Sequence, residues 1–129
     1  MTIELTMLLW SSTLFAGYIG AQSILYRLDK GIEFANSSRD NEGPGNVLTV
    51  RSEKALRNLL ETYAVFVALV VVTELSGRSD ALTQWGAQIW FWARWAYLPL
   101  YISGVKYLRS LFWLVSAAGL GLMFAGVLF

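Results

Sequence analysis

The chain has 129 residues, 56% of them hydrophobic, with 6 Trp, a mean hydropathy of +0.49 and a formal net charge of +1. That length predicts one domain, and the apolar share exceeds the roughly 45–50% of soluble proteins. With 0 Cys and 0 His, the chain has no disulfide, no thiolate or histidine metal site, no thiol nucleophile and no imidazole base.

Four apolar segments lie at roughly 5–26, 59–76, 83–103 and 108–128. Each approaches the ~20 residues that cross ~30 Å of hydrocarbon. The expected fold is an all-α membrane protein, an antiparallel four-transmembrane-helix bundle forming a single domain over residues 1–129. Its helices are expected at roughly 3–27, 50–76, 80–103 and 107–128, with a cytoplasmic loop at 28–49.

The first segment lacks a basic leader, Glu4 being its only early charge. It also runs longer than the apolar region of a signal peptide, which predicts a retained helix. Thr13, Gly17 and Ala21 recur every four residues, a spacing that lets membrane helices pack closely within or between subunits. The loop that follows contains NSSRDNEGPGN, with Gly43-Pro44-Gly45 as a break. It is expected to be mobile at its centre and to carry a short interfacial helix around 28–36. Arg27, Lys30, Arg39, Arg51, Lys54 and Arg57 surround it, and Lys106 and Arg109 surround the third loop. The second loop has only Arg78. The positive-inside rule then places the first and third loops in the cytoplasm and both termini outside.

The second helix opens with RSEKALRNLLE and continues into TYAVFVALVVV. At about 100° per residue, Arg51, Lys54, Arg57, Asn58 and Glu61 share about a third of its circumference. Ionisable groups in a membrane span cost roughly 2.5–3.5 kcal/mol each, so they mark a site or a packed polar interface. Arg51, Lys54 and Arg57 also suit snorkelling or headgroup contacts, and Glu61 can pair with Arg57 one turn back. Asn58 and Glu61 sit deeper, and the stripe reads as the floor of a site for a small, zwitterionic, mostly anionic molecule.

The short SGRSD turn offers Ser79 or Asp80 as N-cap of the third helix. On that helix Arg94, Tyr97 and Tyr101 share a face. Arg94 lies mid-segment, where a lone arginine needs a partner, a polar cavity or a route to the surface; Glu61 is the structural alternative as partner. Pro99 removes a backbone donor and is expected to bend the helix, freeing the carbonyl of Trp95. Trp85, Trp90, Trp92 and Trp95 read as interface anchors and lipid-facing or packing groups. Arg109 and Ser110 begin the fourth helix, where the helix dipole favours an anion, although an anchor plus an N-cap explains them as well. Ala117, Gly121 and Ala125 repeat the close-packing spacing.

RSEKALRNLLETYAVF followed by ARWAYLPLYISGVKYLRS resembles the MAPEG superfamily, the membrane-associated proteins of eicosanoid and glutathione metabolism. It looks most like a bacterial-type, microsomal glutathione transferase-like member. The pattern basic-Ala-x-x-Asn-x-x-Glu stands here as Lys54-Ala55, Asn58 and Glu61, and the resemblance covers about residues 47–115. It implies a homotrimer in a bacterial inner membrane, with glutathione bound between neighbouring subunits near the cytoplasmic side. Arg57, Asn58 and Glu61 correspond to glutathione contacts, and Lys54 stands where relatives often have Arg. Tyr101 matches a helix-three tyrosine, and Tyr97 falls where relatives carry His or Tyr. Arg109 and Ser110 resemble the pair that holds or activates the thiol, and Arg27 resembles an arginine contributed by the first helix. Lys54 departs from the pattern, since it lacks the bidentate fork of Arg. The spacing from Tyr101 to Arg109 also differs slightly from that of some eukaryotic relatives.

The chemistry agrees. Glutathione has two carboxylates and one ammonium, which Lys54, Arg57 and Arg109 on one side and Glu61 on the other can meet. Lowering a thiol pKa from ~8.5 to ~6.5 takes about 2.7 kcal/mol, which an arginine in a dry site, a hydroxyl and a helix terminus can supply. Glutathione as cosubstrate thus brings the nucleophile the chain lacks, and no metal is required. The expected activity is a glutathione-dependent membrane transferase or peroxidase acting on lipophilic electrophiles. Expected partners are further copies of the chain, membrane lipids and lipophilic small molecules, with no nucleic acid among them. A non-catalytic lipid-binding trimer of the same family is the alternative; a channel or transporter is a weaker one, because discontinuous helices are not evident.

Overall fold

Helix ends in this chain are written into its sequence. In the computed structural model, which describes residues 1–129, the helices are α1 (Ile3–Lys30), α2 (Ile32–Ala35), α3 (Val47–Ser76), α4 (Ala81–Ser103) and α5 (Lys106–Leu128). Thr2 caps α1 by accepting from the Leu5 N–H, and Asn46 caps α3 by accepting from the Thr49 N–H. Asp80 caps α4 in a reciprocal box with Thr83. Val105 precedes α5 with no side-chain cap, so Ser110 lies a turn inside the helix and is not its cap. α1 continues three residues past the expected end at 27, and α3 begins three residues before the expected start at 50. Basic Arg27 and Lys30 suit the last turn of α1, and Asn46 is the first residue after the Gly43-Pro44-Gly45 break able to cap α3.

The four long helices have 28, 30, 23 and 23 residues. At ~1.5 Å per residue the shortest is ~34 Å long. α3 and α5 are apolar as well as long enough to cross a membrane. α4 packs on α1, α3 and α5, whereas α1 does not touch α5. The core forms around Phe66 of α3, stacked on Trp90 of α4 with ring centroids 4.0 Å apart, and Phe15 meets Tyr63 edge-on at 4.5 Å. Trp90 is therefore a packing group, whereas Trp85 and Trp92 are exposed. Leu9, Trp10, Val72, Leu75 and Phe124 are exposed too, an apolar surface that suits lipid or another subunit.

Close approach of α4 and α5 depends on glycine. A Cβ at Gly86 would lie 2.5 Å from the Gly119 carbonyl oxygen, and one at Gly119 would lie 2.7 Å from that of Gly86. The packed face of α5 is thus Ser116, Gly119, Met123 and Gly126. The expected stripe of Ala117, Gly121 and Ala125 faces elsewhere, with nothing within 4 Å of a Cβ at Gly121. Gly17 on α1 does serve close packing, against the indole of Trp95. α4 runs unbroken through Pro99, which lies on its exposed side.

Where the N-terminus of α1 meets the α3–α4 turn, fully buried Glu4 accepts from the Ser79 hydroxyl at 2.9 Å and the Thr83 hydroxyl at 3.0 Å. Thr2 donates to Glu74 beside them. At the opposite end, side chains from the last turns of α1 reach across to the long loop. Lys30 Nζ donates to the carbonyls of Gly43 and Pro44, and the Asn46 N–H donates to Asp29. Arg39 stacks over Tyr26, 4.3 Å from its ring centroid.

Candidate functional site

Helical spacing carries Lys54, Arg57, Asn58 and Glu61 to the outer flank of α3, while Ala55 and Leu59 between them turn fully inward to the core. Tyr97 and Tyr101, four residues apart, face them from α4. The turn from α4 to α5 is short, with Gly104 in the left-handed conformation at φ 80°. That turn brings the start of α5 back beside the end of α4. Arg109 and Ser110, with Trp113 and Leu114 one turn further in, close the remaining side. The result is one cavity of about 570 Å³.

Its interior has a definite polarity. Lys54, Arg57 and Glu61 are exposed at the mouth, and Asn58 is half-buried with its side-chain oxygen enclosed and unpartnered. Such an orphaned acceptor is costly unless a ligand or water donates to it. Tyr97 and Tyr101 meet edge-to-face at 5.5 Å, and the half-buried Arg109 guanidinium lies over the Tyr101 ring, 4.6 Å from its centroid. The Ser110 hydroxyl donates to the Lys106 carbonyl at 3.3 Å, a long bond from which it can turn towards a ligand. Trp113 and Leu114 give the same cavity an apolar wall. No trio of His, Cys, Asp or Glu side chains comes together as metal ligands.

Three of the expected site residues lie outside the cavity. Arg51, one turn nearer the start of α3, reaches the end of α4, where Nη1 donates to the Ile102 carbonyl at 3.1 Å and the guanidinium covers Gly104. It satisfies a carbonyl left open at a helix C-terminus. Arg27 donates to the Ser23 carbonyl at 3.2 Å and to Asn36 Oδ1 at 3.5 Å, at the end of α1. Arg94 is fully enclosed behind Tyr97 and makes no side-chain hydrogen bond, so the alternative pairing with Glu61 does not form. Trp113 and Leu114 are cavity residues that the sequence reading left out. They follow Arg109 and Ser110 by four residues and so share their face, but an apolar side chain there does not by itself tell a cavity wall from a lipid-facing surface.

Long apolar helices packed through glycine, around a cation-rich cavity set against an aromatic and aliphatic wall, are the make-up of a helical membrane protein. The MAPEG family model matches residues 7–129, so the chain belongs to the MAPEG family. It is thus a membrane protein of glutathione or eicosanoid metabolism, a family that includes glutathione transferases. No curated protein and no solved structure matches the chain.

Proposed function

We propose that the protein is a glutathione-dependent membrane transferase or peroxidase, with glutathione bound in the α3–α4–α5 cavity. The observation that carries this reading is the charge arrangement of the lining: the cations Lys54, Arg57 and Arg109, one carboxylate, Glu61, and an apolar wall. Glutathione presents the complement, two carboxylates and one ammonium, and charge-assisted hydrogen bonds to such groups are among the stronger ones. Lys54 and Arg57 hold the carboxylates, Glu61 the ammonium, and Asn58 and the two phenols complete the polar contacts.

In the proposed chemistry Arg109 stabilises the thiolate and Ser110 donates a hydrogen bond to it. The thiolate attacks an electrophilic carbon, forming a C–S bond while the leaving group departs with its electron pair. With a hydroperoxide, the thiolate instead attacks the terminal oxygen, the O–O bond breaks and the alcohol leaves; a second glutathione then condenses with the resulting sulfenic acid, giving the disulfide and water. Trp113 and Leu114 face the lipophilic partner, which arrives from the bilayer. A cavity open on one side suits a homotrimer in which a neighbour closes it and contributes Arg27. In this reading all four long helices of the single domain cross the membrane, with the loops after α1 and after α4 in the cytoplasm and both termini outside.

The test is glutathione binding and conjugation of a chlorodinitrobenzene by purified protein in detergent. Saturable binding with turnover supports the reading. Binding of lipid with no glutathione affinity overturns it in favour of the non-catalytic member of the family.

A further inference from the structure

Arg94 and Glu4 are the two fully enclosed charged side chains, and they are treated differently. Glu4 accepts from two hydroxyls, those of Ser79 and Thr83. On Arg94, Nε, Nη1 and Nη2 all lack a hydrogen-bond partner. The Tyr18 hydroxyl of α1 lies beside the guanidinium, but it donates to the Arg94 backbone carbonyl at 2.5 Å. Enclosing an uncompensated guanidinium costs several kcal/mol. Packing alone does not explain it, since a methionine would fill the same space without that cost.

The neighbour that Arg94 does have is a ring of the cavity. Its guanidinium lies over Tyr97, 4.5 Å from the centroid, and Tyr97 lines the site. Tyr97 meets Tyr101 at 5.5 Å, and Tyr101 in turn lies under Arg109 at 4.6 Å. A cation–ring–ring–cation series therefore joins the buried arginine to the one at the cavity wall. We propose that Arg94 is a positioning residue for the bound thiolate: it fixes Tyr97 and supplies, from behind that ring, a positive potential that favours the ionised thiol. The inference rests on the glutathione reading above.

The other charged and titratable groups around the site are Lys54, Arg57 and Glu61 of α3, Tyr97 and Tyr101 of α4 and Arg109 of α5, with Tyr18 of α1 on the far side of Arg94. Lys54, Arg57 and Glu61 are exposed in the chain and screened by salt, whereas Arg94 is enclosed, so its contribution persists at high ionic strength.

The test compares wild type with Arg94→Lys and Arg94→Met, recording the ultraviolet thiolate band of bound glutathione against pH. Affinity for S-methylglutathione, which has no ionisable thiol, is measured beside it. By Coulomb's law, a cation about 10 Å from a thiolate at an effective dielectric of ~20 changes the thiolate fraction below the midpoint by about tenfold. Arg94→Met is expected to move the midpoint up by about one pH unit, with S-methylglutathione affinity within about threefold. Arg94→Lys is expected to stay near wild type. If Arg94→Met does not fold, Arg94→Gln, which keeps a donor and loses the charge, is read in its place. An unmoved midpoint in a folded neutral variant overturns the inference alone, as does a loss that Lys fails to rescue and that tracks melting temperature. Absence of a thiolate band in the wild type overturns the glutathione reading and this inference with it.

Discussion

The guanidinium of Arg109 lies over the ring of Tyr101, 4.6 Å from its centroid, across the turn that joins α5 to α4. A cation on a ring face is held by roughly 0.5–2 kcal/mol, depending on its exposure. Arg109 is thereby kept at the cavity wall by the flat of an aromatic side chain, and Tyr101 is itself held edge-on by Tyr97. The direction in which this cation points is set by rings.

Arg109→Ala is expected to lower kcat by about 100-fold or more, the scale of losing one electrostatic stabiliser, while the glutathione Kd changes by about fivefold at most. Tyr101→Leu, which removes the ring beneath the guanidinium, should reproduce part of the kcat loss, and Tyr101→Phe less of it. Steady-state kinetics beside equilibrium binding checks this; equal losses in Phe and Leu would locate the effect in the hydroxyl.

Glu61→Gln is expected to weaken glutathione binding by about tenfold or more, since a hydrogen bond to a charged group contributes roughly 1.5–3 kcal/mol. An analogue of glutathione lacking the α-amino group should bind wild type and variant alike. Isothermal titration with both ligands checks it, and an equal loss for the two ligands would contradict the pairing with the ammonium.

Arg51→Ala should lower the melting temperature in detergent by several degrees, because it leaves the Ile102 carbonyl at the end of α4 without its donor. Glutathione affinity should stay within about twofold, which separates a helix-end clamp from a ligand contact. A large loss of affinity with unchanged melting would restore Arg51 to the site.

The sequence pattern makes the α3 flank legible because one periodicity governs the whole element. Lys54, Arg57, Asn58 and Glu61 share a face on any α-helix, and charge makes that face visible against an apolar background. The same arithmetic overreaches at Arg51. It shares the stripe, but it sits one turn nearer the helix start, where the end of α4 offers a carbonyl that only tertiary structure reveals. Trp113 and Leu114 are hidden for the opposite reason: an apolar residue on a membrane helix looks the same whether it faces lipid, core or cavity. Glu4 reads as a lone early charge because Ser79 and Thr83 are far away in sequence. On α5, the alanines and Gly121 fit the small-residue pattern as well as Gly119 does. Only the position of α4 picks out the glycine face that is used.

That choice has a direct consequence. Gly119→Ala places a methyl group 2.7 Å from the Gly86 carbonyl oxygen and should cost roughly 1–3 kcal/mol, since backbone cannot yield as a flexible side chain does. Gly121→Ala meets nothing within 4 Å in the chain and should leave its fold intact. Thermal melting of the two variants in detergent compares them, and equal destabilisation would contradict the packing described.

In the proposed function, the α3–α4–α5 cavity binds glutathione and ionises its thiol. The most direct measurement is the ultraviolet thiolate band on titrating purified protein with glutathione near pH ~6.5, two units below the free thiol pKa of ~8.5, with Arg109→Ala in parallel. The expected result is a saturable band in the wild type that is lost in the variant while binding persists. Binding with no thiolate band, or a band of equal size in Arg109→Ala, would contradict it.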